Sequence, residues 1–157
     1  MEEHPDAQAA DRQGDGPEAA DPQAYELSEQ AGFNLRRANQ RHVAIFARRV
    51  QGLTPTQFAA LARLHARGPL SQNLLGRLTA MDSATIKGVV ERLKAKRLAV
   101  VKPDPDDGRR RIVELTPEGA AAFERALPQA LASREETLAP LSAAEIRRFE
   151  ALLLRLV

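Results

Sequence analysis

The sequence predicts a mainly α fold carrying a small β-wing, and three observations predict it. Apolar residues recur every three or four positions through most of the 157 residues, in runs bounded by helix-capping sequences. Two β-rich runs, 98–102 and 111–115, flank Pro103-Asp104-Pro105-Asp106-Asp107-Gly108, which is turn chemistry, so they pair as a hairpin. Two short helical patterns stand directly before that hairpin, the order of a helix-turn-helix followed by a wing.

Residues 1–24 have no apolar periodicity and are expected to form a disordered acidic tail. Seven carboxylates against Arg12 alone give the tail −6, and since the whole chain carries +2 the remainder carries +8. A basic body suits a nucleic-acid partner; the tail reads as a solubilising segment or as an arm competing with DNA for the basic face. Residues 25–50 predict a long helix with two apolar lines, Ala31, Leu35, Ala38, His42 and Ile45 beside Asn39, Val43, Phe46 and Val50. Two lines imply two partners, the chain's own core and a second subunit. Gly52 ends this helix.

Thr54-Pro55-Thr56-Gln57 opens the second helix as a capping box with proline at the first position; Phe58, Leu61 and Leu64 face inward and Gly68-Pro69 stops it. After an extended Leu70, Ser71 caps a third helix carrying Leu74, Leu75 and Leu78. Asp82 or Ser83 caps the fourth, whose inward positions are Ile86, Val89, Val90 and Leu93. That turns Ser83, Ala84, Thr85, Lys87, Gly88, Glu91 and Arg92 outward, and small polar residues in a first turn let a helix enter a groove deeply. Beyond the wing, Thr116-Pro117 starts a fifth helix that Pro128 kinks or interrupts. Ser142 to Glu145 form a second capping box before Ile146, Phe149, Leu152, Leu153 and Leu156. Glu135 and Glu136 read as solvent-facing.

Composition excludes several functions. There are no cysteines and three histidines, at positions 4, 42 and 65, so no disulfide, thiol switch, metal or cofactor is expected. Asp104, Asp106 and Asp107 lack the glycine and distal glutamate of a calcium loop. No glycine-rich phosphate loop, activated nucleophile or carboxylate pair stands at useful spacing, so no enzyme is expected. No run reaches the ~18 apolar residues of a membrane span and the first residues are acidic, which predicts a cytosolic protein with no membrane partner.

The element order, with LTPTQFAALARL, LGRLTAMDSATIKGVVERLKAKRL and DPDDGRRRIVELTPEG, resembles the MarR family of winged helix-turn-helix transcription regulators over residues 25–157. The resemblance implies a homodimer with dimerisation helices in 25–52 and 116–157 around a winged helix-turn-helix at 53–115. It implies a pseudo-palindromic double-stranded DNA operator, read in the major groove by Ser83, Ala84, Thr85, Lys87 and Gly88, with Arg92 beside them. Arg109 would reach the minor groove with Asp107 orienting it, and Arg110 and Arg111 would hold phosphates. Family members usually place glycine after the recognition helix; Arg97 stands there, at a strain of about 1 kcal/mol. Within the family the sequence looks most like repressors of nicotinate and aromatic-acid degradation, which implies a small aromatic carboxylate effector. Phe33, Arg36 or Arg37, Asn39, His42 and His65 are its candidate contacts, although a histidine on an apolar face is more often a hydrogen-bonded core residue than a ligand contact. A winged-helix module that binds protein instead of DNA is the competing class.

Overall fold

A computed structural model describes residues 24–108 and 110–157; the tail 1–23 and Arg109 lie outside the described residues. After a 3-10 turn at Leu27–Glu29, six helices run α1 (Ala31–Arg49), α2 (Pro55–Arg67), α3 (Gln72–Leu78), α4 (Ser83–Ala95), α5 (Pro117–Leu138) and α6 (Ala143–Leu153). The first helix therefore starts later than residue 25: Gln30 is extended, and its backbone N–H closes the 3-10 turn onto Leu27. Three antiparallel strands, β1 (Leu70–Ser71), β2 (Ala99–Pro103) and β3 (Arg111–Leu115), lie in the order β1-β3-β2. Leu70, expected only as an extended residue, pairs with Val113 and ties the helix-turn-helix to the wing.

The expected caps form. Thr54 and Gln57 make a reciprocal box, as do Ser142 and Glu145, while Ser71, Asp82 and Thr116 each accept a bond from an N-terminal amide of the helix that follows. Pro128 does not interrupt α5, which runs unbroken through it. Only one intrahelical donor is missing there, and the side chain is exposed.

The core belongs to the middle of the chain. Ala60, Leu61, Leu64, Leu75, Ile86, Val89, Val90, Leu93, Ala99 and Val113 bury against one another. Gly119, at the start of α5, comes so close to β2 that a Cβ there would lie 1.9 Å from the Leu98 carbonyl oxygen. Thr116 makes the same junction from the other side: its hydroxyl donates to the Arg97 carbonyl at 2.8 Å and accepts from Gly119 N–H at 3.0 Å. Leu115-Thr116-Pro117-Glu118-Gly119 is thus the joint between wing and α5.

Candidate functional site

The helix-turn-helix is closed at both ends by the same device. At the end of α3, Met81 N–H bonds Gly76 O at 2.9 Å and Ala80 N–H bonds Arg77 O at 3.3 Å; at the end of α4, Leu98 N–H bonds Leu93 O at 2.9 Å and Arg97 N–H bonds Lys94 O at 2.8 Å. These are Schellman pairs, which need a left-handed residue after the cap. Ala80 and Arg97 supply it at φ 52° and 59°, without glycine. The strain expected at Arg97 is present, and Ala80 adds a second instance that the sequence reading did not foresee. Gly76 allows the tight turn: a Cβ there would lie 3.1 Å from Met81 O and 3.2 Å from Ile86 Cγ2.

With one side of α4 buried through Ile86, Val89, Val90 and Leu93, the opposite side is fixed outward. Ser83, Ala84, Thr85, Lys87 and Arg92 are exposed, and Gly88 is half-buried because the Arg92 guanidinium lies 3.5 Å from where its Cβ would be. Asp82 accepts from Thr85 N–H at 2.7 Å, and that backbone bond, with a second from the Thr85 hydroxyl, holds its carboxyl below the usual carboxylate range. Glu91 pairs with Lys94 at 3.0 Å. Lys87 and Arg92 have no ion pair among the described residues and stay available to phosphate.

The wing loop is built by its aspartates. Asp104 takes Asp106 N–H at 3.0 Å, its own N–H bonds Arg110 O at 3.1 Å, and its carboxylate meets Arg110 Nε at 3.5 Å. Arg110 is therefore shared between the loop's own carboxylate and any phosphate. Arg111 is exposed where β3 begins, opposite Pro103. Asp107 is exposed, with its N-terminal neighbours forming the turn, and its expected partner Arg109 lies outside the described residues.

The proposed effector residues divide. His42 and His65 end one chain of rings: His42 to Phe46 at 6.2 Å between centroids, Phe46 to Phe58 at 5.8 Å, Phe58 to Phe123 at 5.3 Å and Phe123 to His65 at 4.7 Å. The chain crosses α1, α2 and α5. His42 Nδ1 lies 3.0 Å from the Thr137 hydroxyl, whose own hydrogen goes to Ser133 O at 2.7 Å. A hydroxyl has one hydrogen, so Nδ1 carries the proton here and the neutral ring keeps Nε2 as an acceptor. His65 Nε2 is 3.4 Å from Glu124 Oε1. Phe33 and Arg37 pair with each other instead, the guanidinium 5.7 Å from the ring centroid, near the start of α1. Nine residues separate Phe33 from His42, about 13 Å of helix rise. Arg36 and Asn39 are exposed on the same helix, Asn39 one turn before His42, and among the described residues no ring contact or hydrogen bond ties these four residues to the ring chain.

Glu136 stays partly exposed, but it is paired, which its solvent-facing reading did not anticipate. It pairs with Arg48 at 2.7 Å and Arg49 at 2.6 Å, and the hydrogen bonds from Arg49 and then Arg48 lower its carboxyl. Arg41 donates to the Thr137 and Glu136 carbonyls at 2.6 and 3.3 Å. Phe58 read from sequence as inward-facing and Phe46 as part of one of two apolar lines, and Thr137 carried no signal at all.

A helix-turn-helix that turns small residues and unpaired cations outward beside a basic hairpin is the build of a winged-helix DNA-binding regulator. A model of the MarR family matches residues 51–110, and NicR, a transcriptional repressor from Pseudomonas putida, is 46% identical over 123 residues, which cover 77% of this chain and 78% of NicR. The chain belongs to the MarR family of transcription regulators. Two solved structures share the fold at substantial identity. BpsR from Bordetella bronchiseptica, whose DNA binding is regulated by 6-hydroxynicotinic acid, is 42% identical with a TM-score of 0.78, over 84% of this chain and 96% of BpsR. PcaV from Streptomyces coelicolor, solved with its natural ligand, is 34% identical with a TM-score of 0.79, over 85% and 95% of the two chains. Among the described residues no helix is long and apolar enough to cross a membrane.

Proposed function

We propose that the protein is a repressor that binds a pseudo-palindromic operator as a homodimer and leaves it when a small aromatic carboxylate binds, 6-hydroxynicotinate being the first candidate. The observation that carries the effector reading is the ring chain from His42 to His65. It joins the outer helix α1 to α2 and α5, so a flat acid stacked against it touches both the dimer layer and the lobe holding α4. His42 Nε2 offers an acceptor to a ring hydroxyl when neutral and a donor to a carboxylate when protonated. Phe33, Arg36, Arg37 and Asn39 reach such a ligand, on this reading, from the second subunit. The regulation of BpsR by 6-hydroxynicotinic acid and the name of NicR support the choice of ligand class.

The dimer reading rests on what the outer helices leave uncovered. Leu35, Val43, Leu131, Phe149 and Leu152 are all 40% or more exposed, and α6 buries none of its residues within one chain. A second copy related by a two-fold axis covers the same faces on both subunits. Two α4 helices then meet half-sites about one helical turn, roughly 34 Å, apart.

A gel shift with the DNA upstream of the protein's own gene, at low salt, tests the first half. Binding that weakens steeply as salt rises is expected; no shift at low salt refutes operator binding. Adding 6-hydroxynicotinate, nicotinate or salicylate to the complex tests the second. Release by at least one, lost in His42→Ala, is expected, and persistence of the complex with all three rules the aromatic acid out.

A further inference from the structure

Away from the ring chain, a cleft of about 360 Å³ opens between the α1–α2 loop, the exit of α4 and the middle of α5. Its floor is apolar, from Val50, Leu53, Leu98 and Ala122, and its charged lining residues are Arg49, Lys96 and Arg125, with no carboxylate among the lining side chains. Arg49 is partly neutralised by Glu136. Lys96 is not: its ammonium donates to two neutral oxygens, the Gly52 carbonyl and Gln57 Oε1, the latter at 3.1 Å. Arg125 makes no hydrogen bond or ion pair among the described residues. Two uncompensated cations above a greasy floor are a receptor for an anion with an apolar body.

We propose that this cleft is a second ligand site, separate from the His42 chain, which takes a small organic anion whose carboxylate or phosphate sits between Lys96 and Arg125 while its apolar part covers Val50, Leu53 and Leu98. The position gives the site a regulatory lever. Lys96 is the C-cap of the recognition helix α4, next to the left-handed Arg97, and its ammonium holds that end to Gly52, itself at φ 78° in the loop after the outer helix α1. An anion in the cleft can take the third ammonium hydrogen, the other two going to Gly52 and Gln57, and its pull toward Arg125 bears on the strap that those bonds make. Occupancy therefore alters the strap between α1 and the base of α4, and by reciprocity operator DNA changes the affinity of the cleft for its ligand.

The test titrates phenyl phosphate and, in parallel, inorganic phosphate into the full-length protein by calorimetry, with wild type, Arg125→Glu, Lys96→Met and His42→Ala. Circular dichroism melting of each variant confirms that it is folded. Phenyl phosphate is expected to bind wild type at least five-fold more tightly than inorganic phosphate, because the floor contributes. Arg125→Glu and Lys96→Met should each weaken it about ten-fold or more, and His42→Ala should leave it within two-fold of wild type. Benzoate in place of phenyl phosphate separates a carboxylate from a phosphate preference; either preference supports the site when Arg125→Glu weakens it and His42→Ala does not, and the reverse pattern overturns it. Binding that survives both cleft variants belongs elsewhere, to the ring chain or the DNA-binding face, and overturns the proposal, as does equal affinity for the two phosphates. Loss of phenyl phosphate binding in His42→Ala alone also overturns it, since the ligand then occupies the ring chain. Because His42→Ala removes effector release without touching the cleft, failure of the effector reading and failure of this one give different patterns.

Discussion

The two halves of the molecule are stabilised in different ways. In the winged helix-turn-helix, Leu61, Leu75, Leu93 and Val113 are fully buried inside one chain. In the outer layer α1 buries only Ile45 and Phe46 and α6 buries nothing, although both are apolar along one face. The inner lobe is complete by itself, and the outer layer leaves its apolar faces uncovered within one chain. Burial of a leucine is worth about 1.5–3 kcal/mol wherever it occurs, so the same substitution should read out as lost folding stability in one region and as lost association in the other.

The sharpest break is at the joint between the halves. Gly119→Ala puts a methyl carbon 1.9 Å from the Leu98 carbonyl oxygen, a backbone atom that no rotamer change can move. α5 must lift off β2, taking the Thr116 bonds with it, so a loss of about 3 kcal/mol or more is expected. Denaturant melts of the purified variant would show it, and a melt within 1 kcal/mol of wild type would mean the joint is soft.

Next in size is the contrast itself. Leu93→Ala should cost about 2–5 kcal/mol at every protein concentration, since its cavity lies within one chain. Leu152→Ala on α6 should scarcely alter a monomer, yet move the dimer to a higher dissociation constant and make the melting temperature depend more steeply on concentration. Light scattering across a dilution series separates the two cases. If Leu152→Ala behaves like Leu93→Ala, with no concentration dependence, the outer face has a partner other than a second copy.

On the inner lobe the charged surface can be divided in the same manner. Arg109→Ala should reduce operator affinity by about 1–3 kcal/mol if it reads a groove, and relax preference at one position of the operator. Arg110→Ala should cost less, because Asp104 already shares that guanidinium in the free protein. Fluorescence anisotropy at two salt concentrations makes the comparison. Equal losses from both arginines, with equal salt slopes, would indicate phosphate contacts alone.

Much of this was legible in the chain, and what was not has a common cause. Caps are local: Thr54 with Gln57, Ser142 with Glu145, and Thr116 before Gly119 are four-residue patterns, and all formed. Arg97 was recognised as a left-handed position because it stands where a glycine is usual. Ala80 plays the same part without a cue, since nothing local distinguishes an alanine that must adopt φ 52°. The α1 start was placed too early because composition does not show where an extended Gln30 breaks the run. Pro128 does not interrupt α5, since one missing donor on an exposed helix face is tolerated. The ring chain joins positions 46, 58 and 123, and Glu136 meets two arginines some ninety positions away. No periodicity encodes contacts of that separation, so the candidate effector site was legible as two histidines on apolar faces, and the path between them was not.

The smallest expected effect concerns how the outer layer is fastened before any partner arrives. Glu136 on α5 holds Arg48 and Arg49 of α1, and those bonds keep its carboxyl below its ordinary value of 4.5. A group whose folded value is lowered contributes stability that is whole above its unfolded value and is lost as pH falls through the folded one. Glu136→Gln should therefore be slightly less stable than wild type by a constant margin from pH 7 down to about 5, and the margin should close below 4.5 as wild type takes up the proton. The pair is partly exposed, so the margin is small and shrinks in salt. Urea melts from pH 7 to 3.5 measure it. A margin that widens on acidification has the wrong sign for this carboxylate, and would place the fastening of α1 to α5 in Arg41 and its two carbonyl contacts instead.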